Sequence, residues 1–252
     1  MGSLSVHIRG RAAAAAPFPA HIDPMLATLS EMPRDESHFG FEYKWDGVRA
    51  VFFHDKERWR LETRNLKDIT HGYPELAGLA AGLGRSSIVL DGEVIALDEG
   101  GQPSFGRLQH RLGLTERRAL ARQAEIPITY MIFDVVYLED RSLVGMPFAE
   151  RRDVLEELGL KGKNWKTPPC YRGEGRPVLE AARENRLEGI MAKRLDSPYR
   201  PGLRTRDWRK IKLVGRQEFV IGGWTPISTG APAIGALLVG YYEPEPRRGA
   251  GS

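Results

Sequence analysis

At 252 residues, with 41% hydrophobic and 28% charged side chains of both signs, the chain can bury a sizeable core and falls outside the disordered class. One cysteine excludes an intrachain disulfide framework or a cysteine zinc site and points to a reducing compartment, and no apolar run reaches the ~18 residues of a membrane span. The net charge of +4 is small but uneven: Arg200 to Arg216 holds seven basic residues and one acid, Asp207, which suits a polyanionic partner or a plain solvated face.

In chain order, residues 1 to about 20 read as a disordered leader, because the Ala12–Ala16 run falls short of the ~7–15-residue core of a signal peptide. The segment from His21 to Ala27 is the first with packing character. Val48–Phe53 and Trp59–Thr63, rich in β-branched and aromatic residues, predict a hairpin turning through His54–Arg58. Pro74–Leu83 predicts a helix with proline in its first turn, and Ser87–Leu97 an apolar strand closed by Asp98-Glu99-Gly100-Gly101. Ser104–Leu112 and Glu116–Ala124 read as helices, and Ile128–Leu138 as a strand. Phe148, Val154, Leu155 and Leu158 mark one helical face, and Val178, Ala182 and Leu187 another. Gly189–Lys193 and Trp208–Leu213 are predicted strands on either side of a loop, Ser197–Asp207. Two further strand-like runs, Glu218–Trp224 and Gly235–Tyr242, precede a Pro/Arg/Gly tail. Strands separated by irregular helices favour an α+β class with mainly antiparallel sheets.

The chemistry concentrates in Glu42-Tyr43-Lys44-Trp45-Asp46-Gly47-Val48-Arg49, which sets one amine among two carboxylates and a guanidinium. A free lysine, with a pKa near ~10.4, is a nucleophile only when neighbouring cations, a metal or burial lower that value. Lys193, Lys210 and Lys212 supply cations, and on a strand Trp208, Lys210 and Lys212 point the same way. Carboxylates recur beside glycine at Asp46-Gly47, Asp91-Gly92-Glu93 and Glu188-Gly189. Of these, Glu93 and Glu188 sit in apolar surroundings, where a carboxylate needs a partner or a metal. There is no G-x-x-x-x-G-K-[ST] or G-x-G-x-x-G phosphate loop, the six histidines form no ligand cluster, and Cys170 reads as packing.

Taken in order, Lys44-x-Asp46-Gly47-x-x-Arg49, Asp91-Gly92-Glu93, Phe133-Asp134, Glu188-Gly189-x-Met191-x-Lys193 and Trp208-x-Lys210-x-Lys212 resemble the covalent nucleotidyltransferase superfamily. Within it the likeness is to ATP-dependent DNA ligases, and specifically to the ligase module of bacterial end-joining ligases. The resemblance spans about Asp23 to Tyr242. It implies an ATP-grasp-like nucleotidyltransferase domain of antiparallel sheets flanked by helices over residues 21–213. An incomplete OB-fold would follow over 214–243, and a flexible tail over 244–252.

By position, the resemblance makes Lys44 the residue that attacks the α-phosphate of ATP, with Asp46, Arg49, Lys210 and Lys212 completing the catalytic group. Glu42 would meet the adenine amino group and Phe133 would stack on the base. Glu93 and Glu188 would serve the ribose and a divalent metal, Mg²⁺ or Mn²⁺. Lys193, Lys210 and Lys212 would contact the nucleotide, the last two at its α-phosphate. Arg49 and Arg64 would meet the ribose or a 5′-phosphate. The motif Ser197-x-Tyr199-x-x-Gly202-x-Arg204-x-Arg206 also matches the end-joining pattern and makes Arg204 and Arg206 nucleic-acid contacts. The implied partners are nicked or broken duplex DNA and an end-binding repair protein, for a monomeric, non-membrane protein of a bacterial or archaeal cytoplasm. An OB-fold of only two strands implies slow self-adenylation and weak nick sealing. The competing expectations are an RNA ligase, a capping-type enzyme, or an inactive remnant that binds nucleic acid through its basic loop.

Overall fold

The two longest apolar runs lie side by side at the centre of the larger sheet. The computed structural model describes residues 13–56, 58–213, 219–227 and 233–242, and the chain divides into two compact units, Met1–Leu213 and Val214–Ser252. The strands of the first unit are β1 (Ala14–Ala15), β2 (Leu26–Leu29), β3 (Phe39–Tyr43), β4 (Val48–Asp55), β5 (Arg58–Thr63), β6 (Ser87–Ala96) and β7 (Ile128–Leu138). They continue with β8 (Arg141–Ser142), β9 (Trp165–Lys166), β10 (Tyr171–Arg172), β11 (Gly189–Arg194) and β12 (Arg204–Lys212). Its helices are α1 (Ala77–Leu83), α2 (Phe105–Gln109), α3 (Glu116–Arg122), α4 (Phe148–Glu157) and α5 (Gly175–Glu184). This is the α+β class read from the sequence.

One sheet runs β1-β8-β7-β6-β4-β5, with β9 also against β7, and the other runs β10-β3-β11-β12-β2. Pairing is antiparallel except at β7/β9 and β12/β2. The first sheet is covered on both faces. Phe52, Leu90 and Ile132 point into one core with Leu76, Leu79 and Leu83, whereas Val51, Phe53, Val89 and Phe133 point into a second with Met25, Tyr199 and Trp208. Burial on both faces explains why β6 and β7 read as near-continuous apolar runs rather than alternating ones. A third core joins Phe39, Phe41, Ile190 and Ile211 of the second sheet to Val178 and Ala182 of α5.

Several expectations change. The predicted leader is ordered from Ala13. β1 pairs with β8, the Phe18 ring stands edge-on to Tyr137 at 5.3 Å and to Phe53 at 6.4 Å, and the Tyr137 hydroxyl donates to the Ala16 carbonyl at 2.9 Å. Small alanines let this segment pair with β8 while one aromatic anchor packs over β7 and β4, which composition alone does not reveal. The rest of the leader, residues 1–12, lies outside the described residues, as do Arg216, Glu218 and the tail 244–252.

The predicted loop Ser197–Asp207 ends earlier, because β12 begins at Arg204, pairs in parallel with β2, and shifts register between Thr205 and Arg209. Backbone pairing to β2 holds this charged stretch extended without any apolar alternation. The predicted helix Pro74–Leu83 opens with a 3-10 turn, Pro74–Leu76, ahead of α1. In the second unit, β13 (Val220–Pro226) and β14 (Ile234–Gly240) form an antiparallel hairpin, at residues close to the two predicted runs.

Candidate active site

Two glycines allow the strands that carry the site to approach. A Cβ on Gly47 would lie 2.1 Å from the Val94 carbonyl oxygen, so only glycine lets β4 start hard against β6. That start fixes the register in which Arg49 lies opposite Glu93. At Gly189, φ is +148° and a Cβ would lie 2.1 Å from the Ile211 oxygen. Here β11 runs close enough to β12 to set Glu188 beside Lys212, and the Gly189 carbonyl accepts from the Lys44 backbone N–H at 2.9 Å. Lys44 therefore follows directly from the pairing of β3 with β11.

A cleft of about 230 Å³ opens among these strands. Glu42, Lys44, Arg49, Arg64, Glu93, Phe133, Lys193, Arg204 and Lys210 all line it, together with Met25, Trp45, Met191 and Trp208. Nine residues singled out from the sequence thus converge on one space. Glu188 and Lys212 join it at Lys44: Glu188 Oε2 accepts from the Lys44 ammonium, and Oε1 from Lys212 at 2.6 Å. Asp46 is exposed next to Lys44, and its charge acts on both Glu93 and Lys212. Arg206 is exposed on β12 and stands apart from the residues lining the cleft.

Charges in the cleft are held in three groups. The first is Lys44–Glu188–Lys212. Burial pushes the Glu188 carboxyl up, but hydrogen bonds from Lys212 and Lys44 outweigh it and hold the group below the usual carboxylate range. The same bond to Glu188 raises Lys212.

In the second group, Glu42 is buried between Lys193, 2.7 Å from Oε2, and Arg152, 3.2 Å from Oε1. The Lys193 ammonium also sits 4.3 Å from the centroid of Phe133, 4.4 Å from Trp208 and 4.9 Å from Phe148. Three aromatic faces and one carboxylate therefore fix this lysine, a stabilising cage for a buried cation. Lys193, predicted as a nucleotide contact, lines the cleft and also holds Glu42 and the Phe133 ring.

The third group is Arg49, whose guanidinium forks onto Asp91 at 2.6 and 2.5 Å and lies 4.5 Å from the Phe133 centroid. Burial works against the Arg49 charge, but Asp91 more than restores it. The Tyr199 hydroxyl donates to Asp91 at 2.6 Å and accepts from the Met25 N–H at 3.0 Å, tying the two sheets together beside the cleft.

Glu93 is different. Burial raises its carboxyl from the ordinary 4.5 to about 7, although Arg49 and Lys44 pull the other way. No ion pair holds it among the described residues.

Sequence reasoning missed Arg152 and the roles of Asp91 and Tyr199. Asp134, part of a recognised motif, is buried in a forked pair with Arg151 at 2.9 and 2.8 Å, and so acts on the fold. Burial and the nearby Glu42 push the Cys170 thiol up to about 12, which leaves it inert. Among the described residues no cluster of three or more His, Cys, Asp or Glu offers an all-protein metal cage. Glu93 and Glu188 both act with Lys44, and these two carboxylates are a donor set that fits a hard divalent cation sharing its remaining positions with phosphate oxygens.

Residues 24–212 match the family model described as ATP dependent DNA ligase domain. Over 229 residues the chain is 37% identical to a multifunctional non-homologous end joining protein LigD of Mycolicibacterium smegmatis, covering 90% of this chain and 28% of that protein. The chain thus spans about 28% of the length of the LigD relatives it matches. A structure of mycobacterial DNA ligase D complexed with ATP and MES superposes with a TM-score of 0.68 at 36% identity, over 87% of this chain and 67% of the other. The ligase domain of LigD from M. tuberculosis gives 0.67 at 35%, over 88% and 69%. With the matched segment running from before β2 to the end of β12 and enclosing the whole cleft, the chain belongs to the ATP-dependent DNA ligase family.

Proposed function

We propose that this chain is a ligase core that carries AMP on Lys44 and spends it on joining a 5′-phosphate to a 3′-hydroxyl at a break in duplex DNA. The observation that carries this reading is the placement of Lys44. It lines one cleft with an aromatic wall (Phe133), a buried acceptor (Glu42) and a cation (Lys210), and its ammonium is shared with Lys212 through Glu188.

In the first step Lys44 Nζ, having shed a proton, forms a bond to the α-phosphorus of ATP. The α–β anhydride bond breaks and pyrophosphate leaves. Lys210 and Lys212 stand on β12 to neutralise charge on the α-phosphate, and Glu188 holds Lys44 in line until phosphate oxygens compete for the two lysines. A DNA 5′-phosphate oxygen next attacks the same phosphorus, the P–N bond breaks, and the amine recovers a proton. The 3′-hydroxyl then attacks the 5′-phosphorus and AMP departs, so that each step rests on positioning and charge neutralisation.

Arg49, locked by Asp91, presents a fixed guanidinium for a ribose or phosphate oxygen. Arg64 and Arg204, exposed at the cleft, offer further cations to the DNA backbone, and Arg206 lies farther along β12. Glu93 and Glu188 would hold Mg²⁺ or Mn²⁺, which when bound supplies charge neutralisation on the phosphates. The end-joining role in the relatives' names makes a DNA end held by an end-binding protein the natural substrate. No helix among the described residues is long and apolar enough to cross a membrane.

Incubating the full chain with α-labelled ATP or GTP, followed by a denaturing gel, tests the reading. Label retained from ATP and not from GTP is expected. Label from GTP alone would make it a capping-type enzyme, and label from neither would make it an inactive remnant that binds nucleic acid.

A further inference from the structure

Arg152 lies on α4, behind the wall of the cleft rather than in it, and each of its nitrogens meets a different acceptor. Nε donates to Glu156 Oε1 at 2.8 Å, Nη1 to Glu42 Oε1 at 3.2 Å, and Nη2 to the Pro168 carbonyl. The start of α4 is itself pinned, with Phe148 N–H donating to Ser197 O at 2.8 Å and Ala149 N–H to Leu195 O at 2.9 Å. A planar guanidinium held on three sides has one orientation. It therefore dictates the plane of the Glu42 carboxylate, whose terminal torsion is otherwise soft. Lys193 cannot do this, because an ammonium is a point charge with three rotatable donors.

Glu42 lines the cleft, and a carboxylate has about four lone-pair sites, of which these cations fill two. What remains toward the cleft is acceptor capacity alone. A ligand edge that reaches Glu42 must donate.

We infer that Arg152 is the specificity-determining positioning residue of this cleft: by fixing Glu42 as an acceptor-only wall, it admits a 6-amino purine nucleotide and turns away a 6-oxo one. The inference rests on the reading of the cleft as a nucleotide site. At the place where a 6-amino group donates, a 6-oxo purine sets its O6 lone pairs against those of Glu42, an arrangement that discriminates far more strongly than loss of a methyl group.

The test is calorimetric titration of the full chain with the α,β-methylene analogues of ATP and ITP. These differ at the purine 6-position, and their P–C–P linkage prevents transfer to lysine. Wild type should prefer the ATP analogue by about 100-fold. Arg152→Lys keeps the charge and loses the fork, and should cut that preference to about 10-fold or less, chiefly by weaker binding of the ATP analogue.

Glu156 is half exposed on the far side of Arg152. Glu156→Ala should lower the ratio about 3-fold through the loosened fork, and it decides the matter if Arg152→Lys does not fold. A wild-type ratio near one overturns the inference, as does a variant that weakens both analogues equally, which is the mark of a merely structural role. If the analogues bind with the expected ratios but α-labelled ATP leaves no label on the protein, the inference stands and the transfer chemistry proposed above falls.

Discussion

The cleft holds two carboxylates that are each shared between two cations, and the pairs differ in one respect. Glu42, between Lys193 and Arg152, is buried with both partners, whereas Glu188, between Lys44 and Lys212, has a side chain 28% exposed. Burial makes the first arrangement permanent. Breaking a buried pair strands a charge away from water, while an exposed pair competes with solvent and contributes little. The second arrangement can accordingly open when competing anions arrive, which the proposed transfer through Lys44 requires. One end of the cleft is built to stay fixed and the other to let go.

Four substitutions break or sharpen this contrast. The largest effect belongs to Lys44→Arg, which keeps the charge and removes the nucleophile. Labelling by α-labelled ATP should fall by on the order of 10³-fold or more, with urea unfolding within about 1 kcal/mol of wild type. Next comes Lys193→Met at the fixed end, which leaves Glu42 half unpaired and should cost about 3–5 kcal/mol in the same unfolding measurement. Glu188→Gln at the releasable end should show the reverse balance: a stability change below about 1 kcal/mol, but labelling slower by about 10²-fold. If Lys193→Met and Glu188→Gln destabilised the chain equally, the contrast between the two ends would be lost.

The last prediction concerns Glu93, the carboxylate outside both bridges. Its carboxyl titrates near 4.5 in the unfolded chain and, because of burial, near 7 in the folded one. Between those values the folded chain holds the extra proton, so stability should fall as pH rises from about 4.5 to about 7 and then level off. Urea midpoints of wild type and Glu93→Gln across that range check it, since the variant should lack this slope.

Much of the frame was legible in the sequence. β4, β6 and β7 stand out because both faces of their sheet are covered, so that their runs are rich in apolar, β-branched and aromatic residues, broken by only a few charges. Lys44, Arg49, Glu93 and Phe133 could be paired with their neighbours through ordered motifs that need no partner to be recognised. β3 escaped notice although it carries Glu42, because Phe-Gly-Phe-Glu-Tyr interrupts the strand pattern with a glycine. Gly40 is needed there, since a Cβ would lie 2.7 Å from Cys170 Sγ.

Arg152 was illegible for a deeper reason. A helix is read from its apolar face, and α4 buries Arg151 and Arg152 alongside Val154 and Leu155, so charge lies where the pattern expects hydrocarbon. Two of its three partners, Glu42 and Pro168, lie outside α4, and nothing in the local sequence points to them. The start of β12 was hidden similarly, because its pairing with β2 is a matter of backbone.

The central claim is that Lys44 itself carries the nucleotide through a bond from nitrogen to phosphorus. Mass spectrometry of peptides from the full chain after incubation with ATP and Mg²⁺ reads this directly. The account predicts one adenylated peptide, modified at Lys44, whose modification is lost in mild acid as a phosphoramidate should be. Adenylate on Lys210, Lys212 or another residue, with Lys44 unmodified, would contradict it.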